Sequence, residues 1–378
     1  MRAWMLAAGL LVATPAYAGV NDILIGMDET SFFDAAGQGY HAGGPDALLV
    51  LDATDPAHPK LRPPIPMHNS VFGPPVNLQI TPDGRLGLAA SAVNPVLKDG
   101  NWDPGTDNVL HVVDLSTMAR LPDVTVGDQP QGIAIARDGS WGLVANRGSK
   151  DVSVLAIGGT DVRETQRVPL DGSAVAVAIA PDGARAFVVE NGENEVAVLA
   201  RKDGALSYES ALDIPTGFNP YNIALTPDGR LGLVVNNGVH GHNASITVFD
   251  ATGPHPRVID TLAIGDGPEG FAMAPDGKSA VVLLLHGSTS AHDDWSYHPN
   301  GGAVLLRIAN GRARVMPGEV KLGAVPEGVA YTRDSRHVYA ADFNGKLLHI
   351  LQVTPKGLKQ RGTLALPGHP ASMRGPAF

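Results

Sequence analysis

The segment that decides the fold is residues 130–139, PQGIAIARDG, because close copies of it recur along the chain. Residues 220–229 read PYNIALTPDG, and residues 268–277 read PEGFAMAPDG. Three further copies occupy residues 75–84, 174–183 and 326–335. The turn aspartates of the six copies lie 44 to 58 residues apart, at Asp83, Asp138, Asp182, Asp228, Asp276 and Asp334. A period of this length is typical of the blades of a β-propeller.

Each copy has the pattern of a β-hairpin. The stretch after its opening proline is apolar, as in a strand that is covered on both faces. Pro-Asp-Gly then forms a turn, since proline fixes φ, aspartate accepts backbone hydrogen bonds and glycine tolerates a positive φ. After residues 130–139, apolar runs at 141–146 and 151–157 predict the second and third strands. A more variable outer strand completes a four-stranded antiparallel blade.

The six copies predict six blades, and the two ends of the chain predict a seventh. Three segments near the start resemble second, third and fourth strands that lack an inner partner, at residues 22–27, 46–52 and 62–67. Residues 368–373, GHPASM, match the opening of the repeat. Because unpaired strand edges are costly, we expect residues 369–378 to form the inner strand of the first blade. The alternative is six blades with two loose ends. The predicted fold is therefore all-β, a seven-bladed propeller closed by its N- and C-terminal strands.

The repeat resembles the YVTN-type repeat of bacterial propellers. The resemblance rests on the segment at residues 130–139, on LVAN at 143–146 and on VSVL at 152–155, and similar segments cover nearly all of residues 20–378. That group is related to lactonase-like propellers and to the heavy chain of methylamine dehydrogenase. The resemblance implies the propeller fold. It implies little about activity, because the matching residues are structural.

The first eighteen residues have the pattern of a secretory signal peptide. Arg2 is followed by an almost wholly apolar run at residues 3–13, and Ala16-Tyr17-Ala18 offers small residues for cleavage. The apolar run is too short to span a bilayer. We therefore expect residues 1–18 to be removed and residues 19–378 to form a single propeller domain, periplasmic or secreted, without a membrane span.

Charge and cysteine content restrict the function classes. Without the signal peptide the chain keeps 27 basic and 38 acidic residues, a net charge of −11. Nucleic acid is a disfavoured partner, although some YVTN-type propellers bind single strands, because that role needs basic grooves and many aromatic residues. The chain has no cysteine, which excludes disulfides and thiolate metal sites. We expect a monomer that a closed ring of blades stabilises.

Long loops are predicted on one face of the propeller. The Pro-Asp-Gly turns lie on the opposite face, because consecutive strands alternate in direction. The insertions fall in blades 1, 2, 5 and 6, at residues 28–45, 94–108, 238–243 and 287–302. Long loops on a rigid scaffold often carry function. This face is therefore the predicted surface for a small molecule or an exported partner protein.

Several side chains of these loops are candidate ligands. His41 and His286 are candidates for binding an organic ligand. His240, His242 and Asp293 offer imidazole and carboxylate groups, which suit zinc or a similar divalent metal. The alternative is that all of these are solvated loop residues.

A second candidate set comes from the position after each opening proline, which should face the mouth of the central channel. This position holds Gln131, Tyr221, Glu269 and Glu327, and the next position adds Asn77 and Asn222. Glu269 and Glu327 belong to adjacent blades. Two neighbouring carboxyl groups can bind a cation, or one can have a raised pKa and serve acid–base chemistry. The alternative is a pair of solvated loop glutamates.

Two functions fit these patterns. The first is an exported scaffold that binds a small molecule or a partner protein on the loop-rich face. The alternative is a lactonase-like, metal-assisted hydrolase that uses the histidines and carboxylates of that face. The sequence has no Gly-x-Ser-x-Gly elbow, phosphate loop or His-Glu-x-x-His motif, so it does not specify a reaction.

Overall fold

A computed structural model describes residue 19 and residues 21–375. It shows an all-β, seven-bladed propeller of four-stranded antiparallel blades, which confirms the predicted fold class. Helical structure within these residues is limited to one 3-10 turn at Ser210–Leu212. The predicted signal peptide, residues 1–18, lies outside the described residues. A search of the described part of the chain finds no helix with the length and apolar character needed to cross a membrane.

Blades 1 and 2 come first in the chain, and each carries a small extra hairpin on the loop-rich face. Blade 1 begins with β1 (Asp22–Met27), β2 (Ser31–Asp34), β3 (Gly37–Tyr40), β4 (Ala47–Asp52), β5 (Lys60–Leu61) and β6 (Ile65–Pro66). Blade 2 contains β7 (Leu78–Ile80), β8 (Leu86–Val93), β9 (Val96–Lys98), β10 (Asn101–Asp103), β11 (Thr106–Asp114), β12 (Ala119–Arg120) and β13 (Val124–Thr125). The extra hairpins are β2–β3 and β9–β10.

Blades 3 and 4 follow the repeat with short connections between their second and third strands, whereas blade 5 carries the insertion at residues 238–243. Blade 3 contains β14 (Pro130–Ile135), β15 (Trp141–Asn146), β16 (Asp151–Gly158) and β17 (Asp161–Pro169). Blade 4 contains β18 (Ala174–Ile179), β19 (Arg185–Glu190), β20 (Glu195–Lys202), β21 (Ala205–Tyr208) and β22 (Ile214–Pro215). Blade 5 contains β23 (Pro220–Leu225), β24 (Leu231–Asn236), β25 (Ser245–Asp250) and β26 (Arg257–Ala263).

Blades 6 and 7 complete the ring together with the last strand. Blade 6 contains β27 (Pro268–Met273), β28 (Ser279–Leu284), β29 (Gly302–Ala309), β30 (Arg312–Val315) and β31 (Val320–Lys321). Blade 7 contains β32 (Val329–Tyr331), β33 (His337–Asp342), β34 (Leu347–Thr354) and β35 (Gly357–Ala365). The final strand, β36 (Pro370–Arg374), returns to blade 1.

Blade 1 is closed by the two ends of the chain, as the sequence predicts. β36 pairs antiparallel with β1, with Leu24 opposite Arg374 and Ile25 opposite Met373. On its other edge β1 pairs with β4. The seam with blade 7 is apolar, because Ile25 and Met373 pack in one buried cluster with Tyr339. Closure therefore satisfies an open strand edge and buries apolar surface at once.

The outer strand of blade 1 differs from the continuous strand predicted at residues 62–67. It consists of two short pieces, β5 and β6, which both pair with β4. The interruption falls at Pro63 and Pro64. Proline has no backbone N–H to donate to the ladder, so two in succession break the pairing.

The Pro-Asp-Gly segments form the predicted turns between inner and second strands. In blade 2, Asp83 Oδ1 accepts hydrogen bonds from Thr81 Oγ1 at 2.6 Å and from the Arg85 N–H at 3.0 Å. Gly84 has φ +73°, a conformation that glycine adopts at little cost. Because these turns share one face, the insertions lie together on the other.

Adjacent inner strands approach so closely that a side chain does not fit at Gly132. A Cβ atom there would lie 2.6 Å from Ala176 Cα and 3.0 Å from the Val175 carbonyl oxygen. We expect Gly132→Ala to lower the free energy of unfolding by about 2 kcal/mol, since backbone must shift. Gly192→Ala is the control, because nothing lies within 4 Å of its Cβ position. Urea denaturation checks the difference, and equal midpoints for the two variants would contradict it.

Candidate functional site at the mouth of the central channel

Backbone irregularities occur near the start of the inner strands of blades 3 to 6, at the loop-rich mouth of the channel. The pairing of β27 with β28 shifts register between Pro268 and Phe271, and equivalent shifts occur in blades 3, 4 and 5. A bulge re-aims the side chain that it carries. Tyr221 and Glu269 lie within such irregular stretches, whereas Glu327 directly precedes the regular pairing of blade 7. All three line one cavity of about 200 Å³, here called the mouth cavity.

The β2–β3 hairpin of blade 1 contributes much of the wall of the mouth cavity. Ser31, Phe33 and Gln38 line it. The hairpin extends past blade 7 to the long loop of blade 6, where the His292 N–H donates to the Ala35 carbonyl at 2.9 Å. Thr289 of that loop also lines the cavity. The long loops of blades 2 and 5 do not line the mouth cavity. Two of the four predicted insertions therefore form its wall.

Glu269 and Glu327 form a hydrogen-bonded carboxyl pair in the mouth cavity. Glu327 is 9% exposed, and both carboxyl groups line the cavity. Asn237 Nδ2 donates to Glu269 Oε1 at 3.0 Å. Burial raises the pKa of Glu269 to about 8, and burial together with the charge of Glu269 raises the pKa of Glu327 well above its usual value. The pair therefore retains a proton at neutral pH.

Arg147 is the basic side chain among the described residues that line the mouth cavity. Its guanidinium carbon lies 4.9 Å from the centre of the Phe72 ring, and Nη1 donates to the Phe72 carbonyl at 3.3 Å. These contacts use one donor of a group that has five. The remaining donors give the cavity a positive group beside the carboxyl pair.

Tyr221 provides a phenol next to the carboxyl pair. Burial and the two glutamates raise its pKa well above 10, whereas Arg147 opposes the rise. Tyr40, on the hairpin, has its pKa raised to about 12 by burial and by Asp28. Both phenols therefore remain protonated at neutral pH, and Tyr221, which lines the cavity, can donate a hydrogen bond to a bound molecule.

Asp28 anchors the β2–β3 hairpin. Its carboxylate accepts hydrogen bonds from the N–H groups of Thr30, Ser31 and Val71 and from the hydroxyls of Ser31 and Ser70, at 2.8 to 3.2 Å. Burial and neighbouring Asp46 raise the pKa of Asp28, and the backbone donors oppose that rise. Five donors leave this carboxylate little capacity for a ligand, so its role is to hold the wall in place.

The other predicted ligand-binding residues lie around the mouth cavity and do not line it. Gln131 donates to the Phe72 carbonyl. Asn77 donates to Asn69 Oδ1 and to the Ala90 carbonyl, both at 2.8 Å. Asn222 donates to the Glu269 carbonyl at 3.3 Å, which supports the strand that carries Glu269.

The two loop histidines of this set have partners of their own. His41 stacks on Phe32, with ring centres 4.4 Å apart. His286 Nε2 lies 2.9 Å from Glu319 Oε1. Neither side chain belongs to the lining of the mouth cavity.

The predicted metal ligands are not gathered into one group. His240, His242 and Asp293 are all exposed, and the His242 ring faces Trp295 at 5.5 Å. Among the residues that the structure describes, no three His, Cys, Asp or Glu side chains are placed to hold a metal ion together. Metal binding by these residues remains a prediction.

The predicted site residues did not include Arg147 or Asp28, although one repeat position identifies both. Arg147 directly follows the end of β15, and Asp28 directly follows the end of β1. The same position holds Asn237, which contacts Glu269, and Phe343, which lines the mouth cavity. The residue that follows each second strand is thus the signal that would have found these side chains.

Comparison with known proteins supports the fold and assigns no family. No protein-family model matches the sequence, and no curated protein matches it. Among solved structures, the periplasmic gluconolactonase of Pseudomonas aeruginosa is similar, with 19% identity, a TM-score of 0.66 and coverage of 94% of this chain and 99% of that one. A Bacteroides fragilis protein assigned as a 6-phosphogluconolactonase has 15% identity, a TM-score of 0.67 and coverage of 93% and 97%. Kuenenia stuttgartiensis hydrazine synthase has 19% identity, a TM-score of 0.61 and coverage of 81% and 90%.

Proposed function

We propose that this chain is an exported propeller that binds a small, polar, hydroxylated organic acid in the mouth cavity. The observation that carries the proposal is the Glu269–Glu327 carboxyl pair, which lines the same cavity as Arg147. Export rests on the signal-like residues 1–18, and YVTN-type membership rests on the repeat. Both of these remain proposals.

The lining determines which chemistry fits. A volume of about 200 Å³ is below the roughly 300 to 1,000 Å³ of pockets for drug-sized ligands, so a small molecule is favoured. Arg147 can pair with a carboxylate. The carboxyl pair and Tyr221 offer both donors and acceptors, which suit several hydroxyl groups at once.

Lactone hydrolysis is the second candidate function, and the carboxyl pair favours it. Glu269, which ionises as the pH rises through its pKa of about 8, would in its carboxylate form take a proton from a water molecule that attacks the lactone carbonyl. Glu327, as the acid, would donate its proton to the ring oxygen as the C–O bond breaks, and Arg147 would stabilise the negative charge on the carbonyl oxygen. The proton on Glu269 can then return to Glu327 through their hydrogen bond. The lactonase assignments of two similar structures agree with this reaction class.

Calorimetric titration with gluconate tests the binding proposal. We expect binding to wild-type protein and an affinity loss of about tenfold or more in Arg147→Gln, because a charged hydrogen bond is lost. Arg201→Gln is the control, since Arg201 also stacks on an aromatic ring, that of Trp141, but lies outside the mouth cavity. Equal gluconate affinity in the two variants would remove Arg147 from the site.

Glucono-δ-lactone hydrolysis tests the second candidate in the same preparations. Glu269→Gln is expected to lower the enzymatic rate by about 100-fold or more, the usual cost of losing a general base. Glu319→Gln is the control, because Glu319 pairs with His286 outside the cavity. Gluconate binding without any hydrolysis by wild-type protein would eliminate the lactonase function and retain the binding function.

A further inference from the structure

A second cavity, of about 190 Å³, lies at the opposite end of the channel, on the face of the Pro-Asp-Gly turns. It is here called the turn-face cavity. The fifth residue of each repeat copy lines it, counting the opening proline or its equivalent as the first. Around the ring these residues are Gln79, Ala134, Ala178, Ala224, Ala272, Ala330 and Arg374. Five alanines thus leave open space opposite one arginine and one glutamine in adjacent blades.

The turn-face cavity is positively charged, although the chain as a whole has a net charge of −10. Its described lining contains Arg374 and Arg137 and no aspartate, glutamate or histidine. Arg137 lies at the rim, where Nη2 donates to the Pro227 carbonyl at 2.8 Å. The remaining lining is dominated by apolar groups such as Ile179, Leu225 and Met273.

Arg374 is half-buried and has few hydrogen-bond partners for a guanidinium. Its hydrogen bond to a described side chain runs from Nε to Gln79 Oε1 at 3.3 Å. No described carboxylate lies within salt-bridge distance of it, and burial lowers its pKa. Arginine does not deprotonate in proteins, so the cost of burying its charge is relieved by an anion and not by proton loss.

We propose that the turn-face cavity binds a small monocarboxylate with a short apolar chain. The carboxylate would pair with Arg374 in the two-pronged geometry that guanidinium favours. The apolar chain would lie against the alanine side of the ring. Arg137 at the rim attracts the anion from solvent. This site is independent of the function proposed for the mouth cavity, which lies at the other end of the channel.

Titration with butyrate, followed by calorimetry, tests this site. We expect wild-type protein to bind butyrate, Arg374→Gln to lower the affinity at least tenfold, and Arg137→Gln to weaken it less. Arg333→Gln is the matched control, because Arg333 occupies in blade 7 the repeat position that Arg137 occupies in blade 3 and does not line the cavity. Ala224→Leu keeps both arginines but fills the turn-face cavity, so we expect it to abolish butyrate binding.

Three results would overturn the proposal. The first is equal butyrate affinity in wild-type protein and Arg374→Gln, and the second is binding of chloride without binding of butyrate. The third is butyrate binding only when the chain is extended at its C-terminus, since this would assign Arg374 to the terminal carboxylate of the chain itself. We expect Glu269→Gln to bind butyrate as wild-type protein does. Unchanged binding in this variant separates the turn-face cavity from the mouth cavity.

Discussion

Deletion of residues 369–378 is expected to lower the free energy of unfolding by about 5 kcal/mol or more, close to the total stability of many domains. The deletion removes β36 and leaves one edge of β1 without a partner. It also exposes the apolar seam that Met373 forms with Ile25 and Tyr339. Both losses act on the single point where the ring of blades is joined, so they are expected to reduce cooperativity as well as stability.

Thermal and urea unfolding, followed by circular dichroism, measure this effect. A chain that lacks only residues 376–378 is the control, because it keeps all of β36. If the longer deletion unfolds at the same urea concentration as this control, the closing strand does not stabilise the ring. Met373→Ala provides an intermediate case, expected to cost about 3 kcal/mol by removing one buried side chain.

We expect the free energy of unfolding to fall by about 3 kcal/mol as the pH rises from 5 to 8, because the Glu269–Glu327 pair loses a proton in the folded state. Burial raises both pKa values in the folded state, that of Glu269 to about 8. The folded state therefore binds more protons than the unfolded state above the unfolded pKa, near 4.5. The stabilisation from protonation is complete below that pH and is lost as the pH rises through the folded pKa.

Glu327→Gln separates this pair from other titrating groups. Glutamine can donate the same hydrogen bond to Glu269 but does not ionise, so the variant should lose less stability than wild-type protein between pH 5 and 8. Glu190, whose pKa burial raises to about 7, contributes to the slope of both proteins and cancels in the comparison. Glu319→Gln is the surface control. Identical slopes of unfolding free energy against pH in wild-type protein and Glu327→Gln would show that the pair does not hold a proton.

The two ends of the channel differ in charge. The mouth cavity carries the acidic pair with Arg147, whereas the turn-face cavity carries Arg374 and Arg137 without a described acid. Glu269 at one end and Arg374 at the other belong to inner strands, whereas Arg147 follows a second strand. The repeat thus presents its second residue at one end of the channel and its fifth at the other, and single changes at these positions give each cavity its chemistry.

The sequence by itself determined the blades and their closure. The turn at Asp83 and its equivalents is local, since the side chain bonds to backbone two residues away, and a repeat of such turns fixes the strand order within each blade. The pairing of residues 22–27 with the C-terminal segment was predictable because the first blade had no inner strand of its own and the last segment had no blade. The placement of Glu269 and Glu327 at the mouth followed from their shared repeat position.

Only the tertiary structure decided which side chains meet across the channel. Arg147 reaches the mouth cavity from blade 3, and the β2–β3 hairpin reaches it by crossing blade 7 to contact the loop of blade 6. The ring formed by Arg374, Gln79 and five alanines likewise combines residues from all seven blades. Contacts of this kind depend on bulges, loop conformations and the radius of the ring, which no local sequence pattern specifies.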